Sequence, residues 1–280
     1  MSARIRLLTP ENIPAAVLLK DAAEWNQTAL DWERFVSASP EGCFAAEFEG
    51  RLIGTSATIT YEDRLAWIGM VIVDGQFRGQ GIGTALLQRA IAYLDARKIP
   101  SVKLDATPQG KLLYQKFGFA SEYEIERWNL ERAAGEVAAA ETSHADLSDI
   151  LSLDRAIFGA DRGSVLRSMS NAAPEFVMSK VRKGKIAGYA FGRRGSLADQ
   201  LGPWMAQDEE VAASLLDEFL RRSGRERVFV DCVRANPWAI PLVQARGFRF
   251  SRPLTRMFRG KNDSAGKPEL LCAILGPEFG

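Results

Sequence analysis

Arg78-Gly79-Gln80-Gly81-Ile82-Gly83-Thr84 lies between an apolar run over 65–73 and a segment, 81–97, in which Ile82, Leu86, Ala90, Ile91 and Leu94 recur at helical spacing before Pro100. The first segment reads as a strand and the second as an amphipathic helix. Glycines let the chain turn tightly and approach a ligand closely, while the free N–H groups of a first helical turn carry the positive end of the helix dipole. A strand-to-helix turn of this composition is an anion site, although glycines alone serve a plain turn equally well. Two familiar phosphate loops do not fit. A dinucleotide fingerprint needs a third glycine where Thr84 stands and a parallel strand before it, and no Gly-Lys-Ser or Gly-Lys-Thr occurs to make a P-loop.

Working outward from the loop, the preceding chain reads as a strand at 5–8, helices at 14–24 and 29–37, then a meander of strands at 43–48, 52–61 and 65–73, with Glu49-Gly50-Arg51 as a hairpin. After the long helix come a strand at 101–106, a short helix at 110–117 and a closing strand at 120–130; the polar, small-residue segment 131–136 reads as a linker. The remaining chain repeats this order. Thr107-Pro108, Gly110, Leu113-Tyr114 and Gly118-Phe119 recur in spacing as Asn236-Pro237, Ala239, Leu242-Val243 and Gly247-Phe248, each 129 residues later without a gap. A strand at 137–140, a helix at 147–158, strands at 175–181 and 185–192 and a helix at 209–222 follow suit, so two copies of one fold are expected. A length of 280 residues agrees with two domains, bounded at 1–132 and 137–280.

Arg78-x-x-Gly81-x-Gly83 resembles the pyrophosphate-binding motif of the GCN5-related N-acetyltransferases (GNATs), and its surroundings resemble that family too. Met70-Val71-Ile72-Val73 is similar to the family's splayed fourth strand, and Leu113-Tyr114-Gln115-Lys116-Phe117-Gly118-Phe119 to its L-Y-x-x-x-G-F segment. Gly75 stands where the family often has Pro, and Thr107 where it commonly has Asn. The resemblance covers 4–130 and, more weakly, 137–258. Trp25-Asn26-Gln27-Thr28, Leu65 to Met70 and Leu104 to Pro108 look like a bacterial subgroup with tandem GNAT domains. It implies an α+β fold, a mixed, mostly antiparallel sheet with flanking helices, present twice. It also implies acetyl-CoA as cosubstrate, held by Val71, Val73, Arg78, Gly79, Gln80, Gly81, Ile82, Gly83 and Thr84, with a backbone N–H near Val71 polarising the thioester carbonyl and Tyr114 protonating the departing sulfur.

Acetyl transfer to an amine needs a neutral nitrogen, a polarised thioester and a proton for the thiolate. A phenol of pKa about 10 can protonate a thiolate whose acid has pKa about 8.5 when the two are in hydrogen-bond reach; alternatively Tyr114 is an amphipathic core residue of its helix. Glu24, Glu62, Asp63 and Asp105 are candidates for a general base, each equally readable as a surface charge or cap, and the base is left unassigned. Trp25, Trp32, Trp204 and Trp238 read either as core or as an aromatic wall for an acceptor. In the second copy the 129-residue offset sets Gln207 to Ala212 opposite Arg78 to Gly83, so that Asp208, Glu209 and Glu210 would face a diphosphate, and Val243 stands in the place of Tyr114. That copy reads as a degenerate scaffold or part of the acceptor pocket.

Composition bounds the partners. Nearly balanced charge, formally +1, gives no reason to expect nucleic acid or an anionic membrane, and no run approaches the roughly 20 apolar residues of a spanning helix. The chain reads as cytoplasmic, a monomer or homodimer. Cys43, Cys232 and Cys272 form no CxxC pair and read as buried thiols, and a single histidine, His144, cannot make a multi-histidine site, so no metal is expected. The expected function is transfer of an acetyl group from acetyl-CoA to a primary amine of a small molecule, with a non-catalytic acyl-CoA sensor or a scaffold as the alternative.

Overall fold

The computed structural model describes residues 3–135 and 145–280. The expected strand at 137–140 and His144 fall outside them. The first half runs β1 (Arg4–Leu7), α1 (Ile13–Ala22), α2 (Ala29–Ala38), β2 (Cys43–Phe48), β3 (Arg51–Tyr61), β4 (Leu65–Val73), α3 (Ile82–Ala96), β5 (Ser101–Ala106), α4 (Pro108–Lys116) and β6 (Ala120–Glu131). The second half runs α5 (Leu147–Phe158), α6 (Gly163–Ala172), β7 (Met178–Arg182), β8 (Lys185–Arg194), β9 (Asp199–Ala206), α7 (Glu209–Arg222), β10 (Arg227–Val233), α8 (Ala239–Ala245), β11 (Arg249–Gly260) and β12 (Leu271–Ala273).

The repeat is physical, down to single backbone angles. Glu49-Gly50 and Lys183-Gly184 both take positive φ, the geometry of a two-residue hairpin turn, between β2 and β3 in one half and β7 and β8 in the other. Gly118 and Gly247 have φ of 80° and 81°, and the following Phe119 and Phe248 return their N–H groups to the carbonyls of Tyr114 and Val243. Thr107 Oγ1 accepts from the Gly110 N–H (3.2 Å) and caps α4, and Asn236 Oδ1 accepts from the amides of Trp238 and Ala239 (3.0 Å each), holding the turn that leads into α8. The long helices follow their apolar periodicity: α3 buries Ile82, Leu86, Leu87, Ala90, Ile91 and Leu94, and α7 buries Val211, Ala212, Leu215, Leu216 and Phe219.

All the strands of the described residues join one sheet in the order β1-β2-β3-β4-β5-β11-β6-β10-β12-β9-β8-β7. It is mixed and mostly antiparallel, with parallel pairing at β4–β5 and β9–β10, and helices flank it: an α+β fold. One late strand of each half, β6 and β11, is delivered to the other. β11 lies between β5 and β6, and β6 pairs with β10 along Glu131 to Ile125. Sequence periodicity identifies β6 as a strand but carries no information about its partner, and its neighbours are β10 and β11, both from the second half.

The packing follows the exchange. One apolar cluster joins Trp32, Phe35 and Trp67 of the first half to Ile157, Phe158, Leu166 and Phe191 of the second. Segment 274–280 runs into this junction: Phe279 stacks on Phe35 (centroids 4.7 Å apart, 14° between planes), the Trp67 indole N–H donates to the Pro277 carbonyl (2.9 Å), and the Tyr61 hydroxyl donates to the Phe279 carbonyl (2.9 Å). Truncating such a buried aromatic side chain typically costs about 3–5 kcal/mol.

Candidate acyl-CoA cleft and adjoining cavity

Gly79 and Gly81 have φ of 75° and 81°, and neither would meet an atom with an added Cβ, so it is the left-handed backbone that calls for glycine there. Gly81 is the N-cap of α3 and has no side chain to cap it, which leaves the first-turn amides of Ile82, Gly83 and Thr84 directed at the loop's outer face. Arg78 is exposed, its Nε donating to the Val73 carbonyl (3.1 Å). Before the loop, Asp74 accepts from the Gln76 N–H (2.9 Å) and pairs with Arg51, fixing the exit from β4.

β4 and β5 pair only over Leu65–Trp67 and Ser101–Lys103, then part. From Ile68 to Val73 the β5-facing edge of β4 therefore has no strand beside it. A bulge re-aims the chain inside this stretch: Thr55 pairs with Ile72 and Ala57 with Gly69, Met70 takes φ 54°, and Thr55 Oγ1 donates to the Met70 carbonyl (2.7 Å). The half-buried Val71 and Val73 follow the bulge on an open strand edge that leads to the uncapped start of α3, where the Ile82 side chain is buried in the core and only its amide faces the loop.

A cavity of about 170 Å³ opens at the splay, and Tyr114, Val71, Met70 and Thr107 share its wall with Trp25, Gln27, Asp105 and Arg127 of the first half and Arg252, Leu254, Pro277 and Glu278 of the second. The Tyr114 ring rests edge-on against Phe119 (6.0 Å, 61°), and a Cβ at Gly110 would come within 3.0 Å of it, so Gly110 leaves the ring its place. Burial pushes the Tyr114 phenol up to about 12. It stays protonated at neutral pH.

The carboxylates of the wall, and Arg127, are paired. Arg256 holds Asp105 through Nε and Nη2 (2.9 Å each), Arg127 holds Asp231 (2.8 and 2.6 Å), and Glu278 meets Arg193 and accepts from Gln27 Nε2 (2.9 Å). Burial raises the Asp105 carboxyl, opposed by Arg256. Of the four base candidates, Asp105 alone lines the cavity, and each of its oxygens accepts from Arg256. Glu62 is tied to Arg64 and Arg155, Asp63 to Arg97, and Glu24 is exposed. The aromatic wall does not form: Trp32 and Trp204 are fully buried in separate cores and Trp238 packs on the second core, leaving Trp25 at the cavity. Gln27, Arg127, Arg252 and Glu278 escaped the sequence reading. A signal existed for Arg252: Arg252, Leu254 and Arg256 alternate on one strand face, charge within an apolar stripe.

The corresponding splay of the second half, between β9 and β10, is filled. Those strands pair over Asp199–Leu201 and Val228–Val230, and β12 then enters between them, Ala273 pairing with both Trp204 and Cys232. The start of α7 is closed as well: Asp208 is its N-cap and accepts from the Val211 N–H (2.9 Å), two residues earlier than the repeat offset places it. Cys43, Cys232 and Cys272 are free and buried. Among the described residues no three His, Cys, Asp or Glu side chains are grouped to hold a metal, and no helix is long and apolar enough to cross a membrane.

Two family models match the chain: the Acetyltransferase (GNAT) family over residues 11–119 and an Acetyltransferase (GNAT) domain over residues 150–271. The chain belongs to the GNAT acyltransferases and carries their fold twice in tandem. Holothin acyltransferase of Pseudoalteromonas sp. is 24% identical over 263 residues, 92% of this chain and 88% of that protein. The uncharacterized N-acetyltransferase YitH of Bacillus subtilis is 28% identical over 158 residues, and the match spans 55% of each chain. Among solved structures, a candidate acetyltransferase from Pyrococcus horikoshii superposes with a TM-score of 0.82 at 25% identity, covering 99% of this chain and 96% of that one.

Proposed function

We propose that this chain is a cytoplasmic N-acetyltransferase that moves the acetyl group of acetyl-CoA to the primary amine of a small molecule. The observation that carries the reading is that Tyr114 and Val71 line one cavity at the mouth of the β4–β5 splay, below the glycine loop. The first-half cleft fits the cosubstrate: uncapped amides at α3 suit a diphosphate, and the open edge of β4 suits an extended amide-bearing arm. Bound there, acetyl-CoA supplies an activated acyl group. The chain's own part is to hold it, to offer a backbone N–H near Val71 to the carbonyl oxygen, and to give the Tyr114 proton to the sulfur. The second half contributes Arg252, Leu254, Pro277 and Glu278 to the acceptor side, in keeping with a degenerate copy retained for its surface.

The test is release of free CoA from acetyl-CoA over a panel of small amines, with calorimetry of acetyl-CoA alone. Turnover with at least one amine is expected. Tight binding without turnover on any amine would select an acyl-CoA sensor, and no binding would select a scaffold.

A further inference from the structure

Every carboxylate at the cavity has its cation, and one cation is left over. Arg127 and Arg252 stand directly opposite each other on β6 and β11. Like charges so placed repel unless something anionic lies between or beside them. Arg127 is satisfied by Asp231, which also accepts from Gln200 Nε2 (2.9 Å). Arg252 has no ion-pair partner among the described residues, and its Nε is buried without a hydrogen bond. The ladder explains why: β5 ends where Ala106 pairs with Thr255, so at Arg252 the far side of β11 has no strand, only the opening toward Thr107 and α4. Burial, and then Arg127, hold the Arg252 guanidinium below its usual range. A half-buried unpaired guanidinium is costly to the folded chain, and a bound carboxylate removes that cost with two parallel hydrogen bonds. On the same wall Gln27 is 7% exposed and its Oε1 is buried without a partner; Nε2 donates to Glu278, which fixes Oε1 as the free atom. The cavity thus offers one cation for an anion and one neutral acceptor for an N–H.

We propose that the acceptor is a small amine that also carries a carboxylate, held by Arg252 with its amino end toward Gln27 and Tyr114. The proposal rests on the cavity being the acceptor site. Arg252 is then a specificity-determining residue supplied to the first-half cleft by the exchanged strand of the second half. The amine nitrogen forms its bond to the acetyl carbonyl carbon as the C–S bond breaks; the Tyr114 proton goes to the departing sulfur, the proton lost by the nitrogen passes through water to restore the Tyr114 phenol, and the carboxylate takes no part in bond making.

The experiment pairs each acid with its carboxamide: L-leucine, L-phenylalanine, β-alanine and 4-aminobutyrate, with 2-aminoethylphosphonate as a third arm. Binding to the intact chain saturated with CoA is read by calorimetry, which does not depend on turnover. At least one acid is expected to bind about 10- to 100-fold more tightly than its amide, the usual worth of a charge-assisted pair. That ratio should fall toward one in Arg252→Gln and be partly kept in Arg252→Lys. Where turnover is seen, the loss should appear in KM more than in kcat. Without ligand, the Tm of Arg252→Gln should equal or exceed that of the unchanged protein, because an unpaired charge has been removed. Acids and amides binding alike, equal preference in Arg252→Gln, a phosphonate bound in place of every carboxylate, or a Tm that drops on removing Arg252 would each overturn the proposal. Absence of turnover with the acid preference intact would instead count against the acetyltransferase reading alone.

Discussion

At the scale of single residues the site turns on a phenol in a dehydrated place. Tyr114 lies on a short helix whose start is capped by Thr107, its ring seated on Phe119 with Gly110 beneath it. Removing its hydroxyl should lower kcat by about 10²-fold, the common effect of losing a positioned acid, and leave acetyl-CoA affinity unchanged. Steady-state rates and calorimetry on Tyr114→Phe check both, and an unaltered kcat would return Tyr114 to a packing role. Its pKa near 12 also fixes a sign. A group whose pKa is raised keeps its proton to higher pH, so ionisation of Tyr114 should produce no falling limb in kcat between about pH 7 and 10. A fall there would mean a different acid. The residue was legible in the sequence because its segment is local and carries a family pattern. The charged lining was not, since Arg127, Arg252 and Glu278 come from separate strands and a late segment and meet only after the sheet is assembled.

At the scale of elements the two halves differ in what enters the splay. β4 and β5 part and leave an open edge, whereas β9 and β10 part around β12. An extended ligand arm cannot share backbone groups that β12 already occupies, and Asp208 both caps α7 and places a carboxylate where a diphosphate would sit. The intact chain should therefore bind one acetyl-CoA, and Gly81→Glu should abolish that binding, because Gly81 needs positive φ and the new side chain brings negative charge to the helix start. A calorimetric stoichiometry near two, or one remaining site in a folded Gly81→Glu variant, would show the second cleft to be open. Asp208 and the first-turn Glu209 and Glu210 of α7 were the sequence signal against a diphosphate there; the strand that fills the cleft did not announce itself, because a three-residue strand has too little periodicity to read.

At the scale of the molecule the exchange of β6 and β11 makes each half incomplete. Without β11, β5 keeps only its three-residue pairing with β4, and the full length of β6 is left without neighbours. Exposed strand edges of this kind invite association, and the apolar junction around Phe35, Trp67, Phe158 and Phe279 would open to water. Residues 1–135 produced alone should aggregate or remain without cooperative melting, while 1–135 and 136–280 produced together should combine into one soluble species by size exclusion. A first half that melts cooperatively by itself would show the exchange to be dispensable.

The sequence by itself determined the glycine-rich strand-to-helix loop, the tandem repeat, the α+β class and the place of Tyr114 on its short helix. Each is written in short-range terms: glycines at fixed offsets, apolar residues at a fixed period, caps at helix starts. The tertiary structure decided which strand lies beside which, and through that the filled second cleft and the unpaired Arg252 at the first. Ladder hydrogen bonds join backbone groups that nearly every residue possesses, so a strand's sequence can state that it will pair while its partner, about a hundred residues away for β6 and β10, is settled by what the whole chain can bury together.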